Sequence, residues 1–278
     1  MRVGLIGVGL MGAALMSRLQ AAGREVQVYD ISDERMRLAR ELGAVATDSV
    51  AAASRDVDFI HVFVRTDDEL IDVVTGKDGV LSGARKGSLV FLHSTVMPDT
   101  SRKIAGVAGK QGVRVVDVPV TAVPRVVAEG NAVFLMDGAD ADAAIAAPYL
   151  APLGRAVHHF GPVGSGNVAK IAKNLINANE RIALAEVAAI AEAGGLDVQQ
   201  FFEMAAAIDQ GSTVSRWQGA FNMAGNHAEP RPASNLLNKD IGLAAALARH
   251  LGLTTPMTQA AADTAKAWVA GWEAEKKR

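Results

Sequence analysis

RVGLIGVGLMGAALMSRLQAAGREVQVYD (2–30) is the stretch that decides the fold. RVGLIG (2–7) is an apolar run suited to a strand, MGAALMSRLQAAG (11–23) suits a helix, and EVQVYD (25–30) suits a strand again. Between the first strand and the helix lie Gly7, Gly9 and Gly12, spaced as G-x-G-x-x-G. The motif alone is weak, but a strand before it and a helix after it supply the context it needs. Gly7 permits the tight turn, Gly9 lets backbone approach a pyrophosphate, and Gly12 lets helix and strand pack closely. The free N–H groups at the helix start then face the phosphates. Asp30 ends the second strand, where a carboxylate accepts hydrogen bonds from ribose hydroxyls and repels a 2′-phosphate. The expected cofactor is NAD, with NADP conceivable because Arg35 and Arg37 follow closely.

Outward from this unit, short β-branched runs continue: DFIHVFV (58–64), SLVFLHST (88–95), VRVVDVPV (113–120), NAVFLMDG (131–138) and AVHHFG (156–161). Helical patterns lie between several of them, among them DERMRLARELG (33–43). Such alternation predicts an α/β domain of Rossmann type, with a doubly wound, mostly parallel sheet covered on both faces. Past Gly161 the pattern changes. Alanine-rich windows at 166–193, 197–207, 235–251 and 256–275 predict helices, and no strand is expected there. The boundary falls in GPVGSG (161–166), giving a cofactor domain over 1–162 and an all-helical domain over 163–278.

Composition narrows the function classes. Half the residues are hydrophobic and 21% are charged, as in globular rather than disordered chains. A net charge of -2 argues against nucleic acid or an anionic membrane as partner. The lack of cysteine excludes disulfides, thiolate metal sites and a cysteine nucleophile, and it fits a cytoplasmic protein. MRVGLIGVG shows no secretory leader, and no run of about twenty apolar residues predicts a membrane span. The histidines show no H-E-x-x-H or similar spacing, so no metal site is expected.

GNVAKIAKNLINANE (166–180) carries the chemistry. With about 100° per residue and Lys170 at zero, Asn177 falls near −20°, Asn174 near +40° and Lys173 near −60°. Most of the circumference is apolar, so the helix is expected to be buried with a narrow polar stripe facing a cleft, partner or ligand. A lysine there can exchange protons with an alcohol if its pKa falls, and burial, Lys173 and a nicotinamide ring all push it down.

Together these residues resemble the β-hydroxyacid dehydrogenase family, of which 3-hydroxyisobutyrate dehydrogenase is the best-known type. Four stretches carry the resemblance in order: GLIGVGLMGAALMSRLQAAGREVQVYD, DVPVTAVPRVVAEG (117–130), GSGNVAKIAKN (164–174) and NKDIGLAA (238–245). The resemblance implies that Lys170 is catalytic and that Asn174 binds substrate. It places Thr121 where the family has a carboxylate-binding serine, followed by Ala122 and Val123 in place of two glycines. Lys239 matches a lysine that closes the site. Gly7, Gly9, Leu10, Met11, Gly12, Asp30, Phe63, Val64 and Thr95 match positions that touch the cofactor. The family oxidises a primary alcohol of a small hydroxy acid to a semialdehyde, and it assembles as homodimers or homotetramers through the helical domain.

Three departures matter: Thr121 for serine, Ala122-Val123 for the glycine pair, and Lys173 for the first of two asparagines. They leave the reaction type intact and the substrate open. Arg125 could touch an acid group or be a solvated loop residue. Two other readings are an imine reductase, whose members generally lack a lysine at the place of Lys170, and a non-catalytic NAD-binding module.

Overall fold

A computed structural model describes residues 1–208, 221–224, 227–230, 245, 249 and 252–275. The chain divides into two compact units, Met1–Asn174 and Leu175–Arg278.

The first unit opens with β1 (Arg2–Ile6), α1 (Leu10–Ala21), β2 (Glu25–Tyr29), α2 (Asp33–Glu41), β3 (Val45–Ala46), α3 (Val50–Ala53) and β4 (Phe59–Val62). It continues with α4 (Asp67–Thr75), α5 (Val80–Gly83), β5 (Leu89–Leu92), α6 (Pro98–Lys110) and β6 (Arg114–Asp117). Then come β7 (Val120–Thr121), α7 (Pro124–Ala128), β8 (Val133–Met136), α8 (Asp140–Leu150) and β9 (Ala156–His159). Helix α9 (Ser165–Ala193) begins in this unit and leads into the second, which holds α10 (Val198–Ile208), β10 (Phe221–Ala224), β11 (His227–Pro230) and α11 (Pro256–Glu275).

Six strands form one all-parallel sheet in the order β3-β2-β1-β4-β5-β6. This is the doubly wound Rossmann order, and the chain reverses direction across the sheet between β1 and β4. Alternation along the strands fills two cores. Leu89 and Phe91 of β5 join Leu5, Leu15, Leu19 and Val28 on one face. Val90 and Leu92 join Ile60, Val62, Leu70 and Ile104 on the other. A strand buried on both faces reads as a continuous apolar run, which is why LVFL is apolar at every position.

Helix starts follow capping chemistry. The Ser32 hydroxyl accepts from Arg35 N at the start of α2, with Asp33 and Glu34 in the first turn. Thr66 caps α4 in the same way, ahead of Asp67, Asp68 and Glu69.

The stretch 113–120 is not one strand. The ladder stops at Asp117 and resumes at Val120, because Pro119 has no N–H to donate. After the break, β7 pairs antiparallel with β8, and β8 pairs parallel with β9, making a separate three-stranded sheet.

In the second unit the helices stand where the alanine-rich windows put them at 165–193, 198–208 and 256–275. The window 235–251 lies almost wholly outside the described residues. One correction is needed there. Residues Phe221–Ala224 and His227–Pro230 pair as an antiparallel hairpin, where no strand was expected. FNMA and HAEP are four residues each and lack the alternation of a half-buried strand, so only the intervening Gly225-Asn226 dipeptide marks a turn. Buried Glu186 of α9 secures the start of α11: its carboxylate accepts from Met257 N at 2.6 Å, Thr258 N at 2.7 Å and Thr258 Oγ1 at 2.6 Å. Among the described residues no helix is long and apolar enough to cross a membrane.

Candidate active site

The glycine motif sits at the C-terminal end of β1, beside the reversal between β1 and β4. Gly7 has φ 88°, and a Cβ on it would lie 1.9 Å from Phe63 O. A Cβ on Gly12 would lie 2.0 Å from Gly7 O. Both positions therefore require glycine. Gly9 caps α1 without a side-chain hydrogen bond, so the first N–H groups of a 12-residue helix are left for a ligand. Leu10 is exposed and Met11 half-buried at this helix start.

Asp30 holds the loop, with its carboxyl group at the rim of the site. One carboxylate oxygen accepts from Val8 N at 2.7 Å and the other from Ser32 N at 2.9 Å. Arg35 Nη1 donates to Val8 O at 3.1 Å. A cavity of about 430 Å³ opens here, lined by Gly7, Tyr29, Asp30, Ile31, Arg35 and Val64, among others. Its size, glycine floor and acidic rim fit the adenosine half of a dinucleotide. Val64 is fixed by Ser94, whose Oγ accepts from Val64 N at 3.0 Å and donates to Val64 O at 2.8 Å. Thr95 beside it is exposed.

A second cluster forms the start of α9. Asp137, at the end of β8, accepts from Gly164 N at 2.6 Å and Gly166 N at 2.9 Å through Oδ2, and from Asp117 N at 3.0 Å through Oδ1. Asn167 is fully buried. Its Oδ1 accepts from Val96 N at 3.0 Å, and its Nδ2 donates to Asp117 Oδ1 and Oδ2 at 2.9 and 2.7 Å. A Cβ on Gly166 would lie 2.4 Å from Leu135 O, so the helix start rests directly on the strand. Burial, and next the Asp137 charge, push the Asp117 carboxyl up to about 8, against the pull of Asn167. Burial raises Asp137 as well, opposed by the N–H groups it accepts from. A carboxyl shared in this way keeps a proton through neutral pH.

One turn further along α9, Lys170 Nζ donates to Val120 O at 2.6 Å. The bond joins the helix to the first residue of β7, next to Thr121. Burial, and then the charge of Lys173, lower the Lys170 pKa, two of the causes expected from the sequence. Lys173 is half-buried and Asn174 is exposed. The Thr121 hydroxyl oxygen is buried, with no hydrogen-bond partner among the described residues. Ala122 is half-buried, while Val123 is 60% exposed where α7 begins. Arg125 pairs with Glu129 at 2.7 Å on an exposed helix face, which matches the solvated reading. Lys239 lies outside the described residues, as does the side chain of Asn177.

Behind the loop runs a buried chain that the sequence did not announce. His93 Nδ1 is 2.8 Å from Val118 O, His93 Nε2 is 2.8 Å from His61 Nδ1, and His61 Nε2 is 2.8 Å from Tyr149 Oη. A carbonyl only accepts, so His93 carries its proton on Nδ1 and accepts at Nε2. His61 then donates from Nδ1 and accepts the Tyr149 hydroxyl at Nε2. Both rings are neutral, since burial lowers His93 to about 4 and His61 well below its ordinary value. Phe63, a predicted cofactor contact, stacks on His93 with ring centroids 4.5 Å apart. Asn167, Asp137, Ser94 and His93 were not singled out from the sequence.

Comparison with known proteins agrees with this geometry. Residues 2–161 match the NAD-binding domain of 6-phosphogluconate dehydrogenase. Residues 164–277 match the NAD-binding domain of NADP-dependent 3-hydroxyisobutyrate dehydrogenase. A probable mitochondrial 3-hydroxyisobutyrate dehydrogenase of Dictyostelium discoideum is 30% identical over 260 residues, 90% of this chain and 80% of its own. The solved structure of Mycobacterium tuberculosis 3-hydroxyisobutyrate dehydrogenase with L-serine has TM-score 0.70 at 27% identity, covering 97% of this chain and 94% of that one. An imine reductase from Myxococcus stipitatus with NADP+ has TM-score 0.82 at 21% identity, covering 98% of this chain and 95% of its own, which shows a shared fold. From the glycine floor at β1 to the lysine on α9, this chain belongs to the 3-hydroxyisobutyrate dehydrogenase-like family of β-hydroxyacid dehydrogenases, NAD(P)-binding oxidoreductases.

Proposed function

We propose that the protein interconverts a short β-hydroxy acid bearing a primary alcohol and its semialdehyde, with NAD preferred and Lys170 as general acid–base. The observation that carries this reading is the Lys170 amine, half-buried, lowered in pKa and held 2.6 Å from Val120 O. A fixed amine with a depressed pKa is what proton exchange with an alcohol near neutral pH needs. L-serine, named with the tuberculosis relative, also carries a primary alcohol β to a carboxylate.

Bound NAD would supply the hydride acceptor. The loop 7–12 and the free end of α1 would hold its pyrophosphate, Asp30 its ribose, and Val64 and Thr95 the inner wall. The Asp30 carboxylate, fixed at the rim by Val8 N and Ser32 N, supports NAD over NADP because a 2′-phosphate would meet it. Neutral Lys170 takes the hydroxyl proton during oxidation and returns it during reduction. Asn174 orients the alcohol, and the backbone of 121–123 borders the acid group. We take residues 1–162 as the cofactor domain and 163–278 as the substrate and assembly domain.

Lys170→Ala should lower kcat by about 10²–10⁴-fold, with NAD binding and fold retained. Near-normal turnover of β-hydroxy acids by this variant would sink the mechanism. A cyclic imine assayed alongside separates the imine reductase reading. In Asp30→Asn, NAD over NADP selectivity should fall, and unchanged selectivity would show that Asp30 does not read the ribose.

A further inference from the structure

Two observations in the first unit point the same way. The first concerns Thr121. Its hydroxyl oxygen is buried and has no partner among the described residues, so it is shut off from an acid group arriving from solvent. Val123, 60% exposed in the same loop, adds a branched side chain that narrows approach to the amides. The second concerns Lys173. It lies three residues beyond Lys170, about 60° around the helix. Gly166, Asn167 and Lys170 define the side of α9 that packs on the strand ends, and the half-buried Lys173 lies toward that side. Among the described residues no ion pair or hydrogen bond engages Lys173.

A half-buried lysine with no partner among the described residues, one turn from another lysine, is unfavourable unless an anion completes the group. Lys170 must be neutral to accept a proton, so it cannot be the permanent charge that binds an acid. Lys173 can. Side chains at i and i+3 stand roughly 5–6 Å apart at Cβ. Both amines can therefore reach the two ends of one small molecule.

We propose that Lys173, rather than the Thr121 hydroxyl, is the ionic anchor for the substrate carboxylate beside Lys170. The inference rests on the β-hydroxy acid reading above and assigns its recognition residue. One flexible point charge replaces a hydroxyl-and-amide nest, so the site reads the charge of the acid group more than its shape.

Isobutyrate and acetate carry the carboxylate without the reacting hydroxyl, so their binding reads the anchor apart from the chemistry. Calorimetry of the full-length, NAD-loaded protein should show isobutyrate binding at least tenfold weaker in Lys173→Met. Lys173→Arg, which keeps the charge, should stay within about threefold of the parent, and Thr121→Val should lose less than Lys173→Met. NAD binding measured on each variant checks that the fold survives. Equal binding by Lys173→Met, an equal or larger loss in Thr121→Val, or no binding of either acid by the parent overturns the proposal. If the parent turns over no hydroxy acid while isobutyrate binding still depends on Lys173, the reaction assignment falls and the anchor stands. If turnover depends on Lys170 while isobutyrate ignores Lys173, the reverse holds.

Discussion

The His61–His93–Tyr149 chain makes the folded protein sensitive to mild acid, by an amount that can be worked out. His93 binds a proton with a pKa of about 4 when folded, against an ordinary value of 6.5. Above pH 6.5 the ring is neutral in both states and contributes nothing. Below it the unfolded chain takes up a proton that the folded chain refuses, so stability falls as pH falls, until the folded pKa is reached near 4. At pH 5 the loss is about 2 kcal/mol from His93 alone. Asp117 works in the opposite sense. Its carboxyl is raised to about 8, so the folded state holds a proton the unfolded state lacks, and stability rises as pH falls from about 8 toward 4. The parent's own pH profile therefore mixes the two, and a variant must isolate His93.

His93→Asn is the right perturbation. Its amide N–H can replace the bond from Nδ1 to Val118 O, but nothing accepts from His61 Nδ1–H. At pH 7.5 the variant should be less stable by about 1–3 kcal/mol, the cost of a buried unsatisfied donor. At pH 5 that gap should shrink by about 2 kcal/mol, because the variant has lost the titrating ring while Asp117 is common to both. Urea unfolding followed by circular dichroism, extrapolated linearly at each pH, measures the gap. A gap that stays constant within about 0.5 kcal/mol would mean that His93 titrates normally and that the neutral chain is wrong.

Three further outcomes are expected. Gly12→Ala sets a Cβ 2.0 Å from Gly7 O, so NAD affinity should fall by an order of magnitude or more, read by fluorescence titration with NADH; unchanged affinity would count against the loop geometry. Asp137→Asn puts an amide NH₂ against N–H donors, so hydroxy acid kcat/KM should fall about tenfold or more from one lost acceptor bond, and a smaller loss would show that the helix start does not position Lys170. For oxidation, kcat/KM should rise with pH as Lys170 loses its proton and level off below the ordinary lysine range. Lys173→Met should move that rise to higher pH, and a fixed profile would show that Lys173 does not act on Lys170.

What the sequence disclosed was whatever local sterics and phase encode. Gly7 and Gly12 contact neighbours within the same strand–turn–helix unit or the adjacent strand, so their spacing carries their reason. Lys170, Lys173 and Asn174 share a stripe because helical phase follows from residue number alone. The break at Pro119 was readable in principle, since proline cannot donate to a ladder, yet the apolar run across it dominated. The rest depends on distance along the chain. Asn167 meets Asp117 across 50 residues and His61 meets Tyr149 across 88, and no periodicity links such partners. A two-residue strand such as β7 has no phase to show which way Thr121 turns, so its buried oxygen was hidden.

The Asp117–Asp137–Asn167 cluster also bears on how modular the protein is. A fragment ending at residue 162 would contain every strand of both sheets in the first unit. It would lack the Gly164 and Gly166 amides and the Asn167 side chain, the donors for two carboxyls that lie at the bottom of that fragment. Losing such partners from buried acids costs several kcal/mol, a large share of the stability of an ordinary domain. The cofactor half is therefore not self-sufficient at the edge of its own sheet. It borrows the first turn of the following helix to fold, so exchange of helical domains between relatives should succeed only where the junction lies beyond residue 167.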